Sequence, residues 1–327
     1  MRWGASNDEV LAPWEGFMQR RVTLITGASV GLGLAIARRM LEKTEDHLIL
    51  TARASSLDRF EQEDLSENER LWLRPLDVTS EHERKLVIWE AVEKLGGVDV
   101  LINNAGISYR AVTEHVRDEE RNYQMAVNYN GPIALCRLVL PCMRAKGYGR
   151  IVQISSAGGF MAMPTMGVYT ASKFALEGAT EALYYEVRPF GIKVSLILPG
   201  FINSDGFERV VLTGQSNLAF DDPTDPYHPH YRYMSDFIGK IMKRALATPE
   251  SVARTVVRTV NARHPKLRVP GTLDMRFLWM MRRYLPSRLY HELLYQMLPG
   301  IRHWNKQQAT LLKKTPGREG AQGQLPP

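Results

Sequence analysis

Short runs of β-branched and aliphatic residues recur along this chain, each followed by a longer stretch whose apolar positions fall three and four apart. The runs at 21–26, 47–52, 71–76, 98–102, 150–155 and 193–198 have the length and near-continuous hydrophobicity of strands buried on both faces. The stretches 34–41, 80–95, 119–146 and 168–187 have helical spacing. Ser80, with Glu83 three residues on, reads as a helix N-terminus. Gly131-Pro132 predicts a kink within 119–146. Strands alternating with helices at this pace predict an α/β fold: one doubly wound parallel sheet flanked by helices, occupying about 21–270.

Two segments break the rhythm. Residues 206–247 are rich in Pro, Tyr and His and weakly periodic, which predicts a lid or substrate loop over about 201–248. Residues 271–314 predict a basic amphipathic helical extension. There Leu273, Phe277, Met280/Met281 and Tyr284 fall at helical spacing, flanked by Arg276, Arg282 and Arg283, and 289–298 repeats the logic. The preferred reading packs this stripe on the body or on another subunit with the arginines solvated. The other lays it on an anionic bilayer surface. Residues 1–20 read as a loosely attached leader and 315–327 as a disordered Gly/Pro/Gln-rich tail.

Charge sharpens this division. Of the net +7, the part from Lys266 onward carries 11 Lys/Arg against three Asp/Glu, so the body is close to neutral. That excludes a nucleic-acid-binding body and leaves an accessory basic surface. The two cysteines, Cys136 and Cys142, share one expected helix at a separation of roughly 9 Å, too far for a disulfide and no metal site. The first residues lack a secretory apolar run, and no apolar window approaches a membrane span. A cytoplasmic protein is expected, with the basic tail allowing association at a membrane surface.

The chemistry gathers at the ends of the expected strands. Thr26-Gly27-Ala28-Ser29-Val30-Gly31-Leu32-Gly33 is a strand–turn–helix cradle in which glycines admit a pyrophosphate to the backbone and a helix N-terminus faces its charge. Ala52-Arg53 ends the second strand where an NAD-selective cradle has a carboxylate, so NADP(H) is favoured over NAD(H). Asp77-Val78 ends the third strand, at the expected adenine. Asn103-Asn104-Ala105-Gly106 ends the fourth, and for Asn103 a ligand role and local backbone satisfaction both stay open. Tyr169 and Lys173, one helical turn apart, bring a phenol and an ammonium together, and the ammonium lowers the phenol's pKa toward useful proton exchange. Ser156, thirteen residues before Tyr169, is placed to hold a carbonyl oxygen, and Asn128 to anchor a water leading to Lys173. Phe160, Met161, Met163 and Met166 are either pocket wall or core.

In this order, these motifs resemble the short-chain dehydrogenase/reductase family, over about residues 21–204 with a closing helix and strand to Val269. The resemblance implies a seven-stranded Rossmann sheet and transfer of the nicotinamide 4-pro-S hydride. It implies Ser156 as substrate polariser, Tyr169 as acid/base, Lys173 as pKa-lowering ribose contact and Asn128 as proton relay. Ser29 and Leu32 in the cradle, and Pro199, Gly200, Ile202 and Ser204 after the sixth strand, are implied as further cofactor contacts; at Ser204 many members have Thr. The run from Ser172 to Gly178 is similar to 17β-hydroxysteroid and retinol dehydrogenase-like members, which implies a small lipophilic carbonyl or alcohol substrate and a homo-oligomer, dimer or tetramer. Two other readings stay open: a catalytically weak NADP(H) sensor or scaffold, and a membrane-surface binding protein acting through the tail.

Overall fold

The computed structural model describes residues 20–203 and 210–305. Most of the expected leader, Ser204 and the expected tail lie outside the described residues. The chain runs β1 (Val22–Ile25), α1 (Gly31–Lys43), β2 (His47–Ala52), α2 (Asp58–Gln62), β3 (Leu71–Pro75), α3 (Glu81–Leu95) and β4 (Val100–Asn103). After the two-residue β5 (Tyr109–Arg110) come α4 (Asp118–Met125), a π-helical turn (Ala126–Asn130), α5 (Gly131–Lys146), β6 (Gly149–Ile154), α6 (Gly167–Val187) and β7 (Ile192–Leu198). The remainder is β8 (Val211–Leu212), α7 (Gly214–Asp221), α8 (His228–Arg244), α9 (Pro249–Asn261), β9 (Arg268–Pro270), α10 (Leu273–Tyr284) and α11 (Ser287–Gln296).

The main sheet has seven parallel strands in the order β3-β2-β1-β4-β6-β7-β9. Strand residues alternate between two cores: Ile25, Ile102 and Val152 pack with α1 and α9, while Leu24, Leu101 and Ile151 pack beneath α3, α5 and α6. Order reverses between β1 and β4, where such sheets open a crevice at their carboxyl ends. Across that switch point the Asn104 side-chain amide donates to the Thr26 and Gly27 carbonyls (both 3.0 Å), and the Thr26 hydroxyl accepts from the Asn104 and Ala105 N–H groups. The crevice is therefore braced before any ligand enters.

Three expectations change. The Ser80 hydroxyl caps α3 by accepting from Glu83 N–H (3.2 Å), but the Glu83 carboxylate does not return to Ser80; it accepts from Asp77 N–H (2.6 Å) and ties down the turn after β3. The irregularity within 119–146 is the π-helical turn 126–130, which lies directly before Pro132 and widens the turn that the proline ring faces while the helix runs on.

The expected structureless lid is largely helical. In α8, Tyr231, Met234 and Ile238 form a buried stripe behind Pro229 in the first turn, a periodicity that the segment's Pro, Tyr and His content masked. The Tyr231 side chain is fully buried; its hydroxyl accepts from Val112 N–H and meets His115 Nδ1, both at 3.0 Å. The segment is docked on the loop after β5.

Among the described residues no helix is long and apolar enough to cross a membrane. Cys136 is buried and neither cysteine is in a disulfide; burial pushes the Cys136 thiol up to about 12.

Candidate active site

A cleft of about 830 Å³ opens over the carboxyl ends of β1 to β4. From the glycine turn it is lined by Gly27, Ser29, Gly31, Leu32 and Gly33. Of the other expected residues, Arg53, Asp77, Val78 and Asn104 to Gly106 line the remaining walls. The glycines are required sterically. Gly27 and Gly31 have φ of 63° and 57°, a region other residues rarely adopt. A Cβ on Gly27 would stand 2.9 Å from Ala105 Cα, and one on Gly33 would run into the Gly27 carbonyl and the Asn104 amide. The cradle so kept open fits a dinucleotide pyrophosphate.

At the β2 end Arg53 is exposed, and its guanidinium has no hydrogen bond or ion pair among the described residues. Sequence reasoning missed two further cations there, Arg38 on α1 and Arg59 on α2, because each reads as an ordinary solvated helix position. Arg38 pairs with Glu63 at 2.6 Å.

Ser156, Tyr169 and Lys173 converge beside this cleft. Ser156 follows β6 in extended conformation and its hydroxyl accepts from Gly158 N–H (3.1 Å). A Cβ on Gly158 would lie 2.8 Å from the Tyr169 ring and 3.6 Å from Ser156 Oγ, so the glycine lets serine and phenol meet. Lys173 Nζ is 5.9 Å from the Tyr169 ring centre and donates to the Ile154 carbonyl at 2.9 Å. Gly106 joins the two parts: a Cβ there would lie 3.4 Å from Asn128 Oδ1 and 3.8 Å from Lys173 Nζ.

Titration behaviour departs from the simple expectation. Burial pushes the Tyr169 phenol above its ordinary value, outweighing the Ser156 hydroxyl that draws it down. The Lys173 ammonium is turned to the Ile154 carbonyl rather than hydrogen-bonded to the phenol. Burial brings Lys173 itself down to about 8, against the opposing charge of Glu177. Glu177, four residues on and on the same helix face, is a further member missed in sequence. It accepts from Ser155 Oγ (2.8 Å) and pairs with Arg268 (3.2 Å), and burial holds its carboxyl above the usual range. The i, i+4 spacing from Lys173 was the available signal.

Asn128 sits in the π-helical turn with both side-chain atoms engaged: Oδ1 accepts from Ile107 N–H (2.9 Å), and Nδ2 donates to Ile107 O (2.9 Å) and Ser172 Oγ (3.0 Å). It fastens the Asn-Asn-Ala-Gly turn to α6. Asn103 points away from the cleft and donates to the Pro132 carbonyl (3.3 Å), which favours local satisfaction. Ile202 packs on the core with α1 and α9, and its neighbour Asn203 lines the cleft. Pro199 and Gly200 are absent from that lining; Gly200 N–H donates to the Thr272 hydroxyl at 2.9 Å. Phe160 packs with Leu198, Met275 and Trp279, and Met161 is buried, so both belong to the core side of the alternative left open above.

The C-terminal helices attach by an unexpected face. Met275 is fully buried and Trp279 packs beside it, while Arg282 lies over the rings of Phe160 (5.1 Å) and Phe174 (5.6 Å). The expected packing stripe points outward: Leu273, Phe277, Met280 and Tyr284 are each more than half exposed.

Known proteins share this sequence and fold over most of the body. The chain is 39% identical over 203 residues to 3-ketodihydrosphingosine reductase of Bacteroides thetaiotaomicron, spanning 61% of this chain and 71% of that one. It is 31% identical over 279 residues to 17-beta-hydroxysteroid dehydrogenase type 1 of Homo sapiens, spanning 81% of each. A short-chain dehydrogenase from Streptomyces avermitilis superposes with a TM-score of 0.71 at 27% identity, covering 85% of this chain and 97% of that one. A metagenomic short-chain oxidoreductase in complex with NADP superposes at 0.59 with 25% identity, covering 77% and 98%. A family model described as short chain dehydrogenase matches residues 21–213. The chain belongs to the short-chain dehydrogenase/reductase family of oxidoreductases.

Proposed function

We propose that the chain interconverts a lipophilic ketone and its alcohol with NADP(H), using Tyr169 as acid/base. One observation carries the reading: Gly106, in the lining of the nucleotide cleft, lies against Lys173, so the cradle and the Ser-Tyr-Lys group form one continuous site. Gly27, Gly31 and Gly33 would hold the pyrophosphate, Asp77 and Val78 the adenine end, and Arg53 with Arg59 a 2′-phosphate. The nicotinamide, when bound, supplies or accepts the hydride.

The chain's own residues handle the proton and the oxygen. Ser156 Oγ holds the substrate oxygen and Tyr169 Oη passes a proton to it or takes one from it. A phenol held above its ordinary pKa is protonated at neutral pH, the form that reduction needs. Lys173 keeps a positive charge beside the site at neutral pH, since its value is about 8. Asn128 keeps the turn after β4 at the distance from α6 that this grouping requires. NADP(H) over NAD(H) rests on the exposed Arg53 and the lack of a carboxylate at the end of β2. The lipophilic substrate class is supported by the names of the sphingoid and steroid relatives.

Fluorescence titration with NADPH and NADH, on the wild type and Arg53→Ala, tests the reading. Tighter binding of NADPH, reduced about tenfold or more in the variant, is expected from loss of a charge-assisted phosphate contact. Equal or tighter NADH binding would overturn the cofactor preference and leave the fold untouched.

A second reading adds to the first. The outward Leu273, Phe277, Met280 and Tyr284 of α10, bordered by Arg276 and Arg283, favour peripheral contact with an anionic membrane surface.

A further inference from the structure

A second cleft, of about 750 Å³, lies between α8, α9 and the turn from β9 into α10. It shares a wall with the nucleotide cleft: Pro249 and Glu250 of α9 face the first, whereas Ser251, Thr255 and Arg258 face the second. Nothing in the oxidoreductase chemistry above uses it.

Two kinds of surface meet there. Phe201, Phe237, Ile241, Leu246 and Leu273 supply apolar lining, and Leu246 is 92% exposed and Leu273 73% exposed at its rim. Lys240, Arg244, Arg258 and Arg276 bring four cations to the same space. None of the four has a hydrogen bond or ion pair among the described residues, in contrast to Arg21, Arg74 and Arg268, which are all paired with carboxylates. The one carboxylate in the cleft, Asp274, is engaged, with Oδ2 accepting from Phe201 N–H at 2.9 Å.

The hydroxyls are engaged too. Thr272 Oγ1 accepts from Gly200 N–H, Ser251 Oγ donates to the Thr248 carbonyl (2.8 Å), and Thr255 Oγ1 donates to the Ser251 carbonyl (3.5 Å). What the cleft offers is therefore an excess of positive charge, four cations against the one carboxylate of Asp274, beside apolar surface, with few directional polar groups left to read a sugar or a base. Clustered like charge in excess of its counter-charge attracts an anion, and exposed apolar surface in a concave site attracts a chain.

We propose that this cleft is a binding site for an anionic amphiphile: a single alkyl or acyl chain ending in a phosphate or carboxylate. The head sits among Lys240, Arg244, Arg258 and Arg276, and the chain covers Phe237, Ile241 and Leu246. The site is independent of the substrate and cofactor proposed above.

Calorimetric titration of the full chain with decyl phosphate, below its aggregation concentration, tests this. One-to-one binding is expected, weakened about tenfold or more in Arg244→Glu/Arg258→Glu by loss and reversal of the charge contacts. Leu246→Asp, at a position exposed enough to leave folding alone, weakens it through the apolar half. The double variant Arg254→Glu/Arg263→Glu changes net charge equally outside the cleft and leaves binding intact. Decyl maltoside and inorganic phosphate, each carrying one half of the recognition, bind more weakly than decyl phosphate. NADPH titration and melting curves identify any variant that is misfolded. Equal loss in both double variants would reduce the effect to net charge and sink the proposal. Displacement of decyl phosphate by NADPH would place it in the nucleotide cleft instead. Binding only to phosphatidylserine vesicles, and not to monomeric decyl phosphate, would make this face a bilayer contact rather than a ligand site.

Discussion

Helices α9 and α10 are both amphipathic and flank the short strand β9, yet they meet the body in different ways. In α9, Val252, Val256 and Val260 are fully buried against the sheet and α1. In α10 the corresponding obvious stripe is outside, and Met275, Trp279 and the guanidinium of Arg282 form the attached face. The difference teaches that a stripe specifies a face only when the other faces are polar. Helix α9 has one apolar side, bordered by Arg254, Arg258 and Glu250. Helix α10 carries large apolar residues around most of its circumference, so the surface it lands on chooses among them.

The strongest test of this contrast asks whether chemistry belongs wholly to the packed body. Tyr169→Phe should lower turnover about 10²–10⁴-fold while NADPH affinity and melting temperature stay as in the wild type. Unchanged turnover would remove Tyr169 from the mechanism. Next, Met275→Ala should cost about 2–5 kcal/mol in denaturant unfolding if α10 is attached by that side chain. A cost near zero would mean that α10 docks some other way.

Lys173→Met comes third and acts inside the body. The folded-state value of Lys173, about 8, is depressed from 10.5 by burial. Between those values the unfolded chain binds the extra proton, so wild-type stability rises with pH across about 8 to 10.5. Below pH 8 the buried ammonium imposes its full cost. The variant should therefore be more stable at pH 7, on the order of 3 kcal/mol, with the gap closing as pH approaches 10.5. Melting curves across that range measure it; a gap that is constant with pH would mean that the gain came from packing.

The smallest effect is the sharpest probe of the outward face. Phe277→Ser, at a side chain 63% exposed, should change stability by no more than about 0.5 kcal/mol. A loss of about 2 kcal/mol or more would show that another copy of the chain or another element covers this face.

Local patterns carried far for most of the body. The six strand runs, the glycine turn and the Tyr169–Lys173 spacing each depend on contacts within one turn or one strand, and each is found where its residues place it. Helix α8 was hidden for a local reason as well, since Pro229 and a high His/Tyr content obscured the spacing of Tyr231, Met234 and Ile238. The Glu83 carboxylate shows the limit of a motif: Ser80 caps its helix, but the acid finds a nearer N–H at Asp77, outside the four-residue pattern.

The amino-acid sequence by itself determined the doubly wound sheet and most of the residues around the cleft at the ends of β1 to β4. Those follow from periodicity and from glycines whose necessity is steric. The tertiary structure decided which face of α10 is buried, that Lys173 turns to the Ile154 carbonyl with Glu177 behind it, and that cations from α8, α9 and α10 converge on a second cleft. These depend on desolvation and on charges brought together from separate elements, quantities that exist only once the chain has folded.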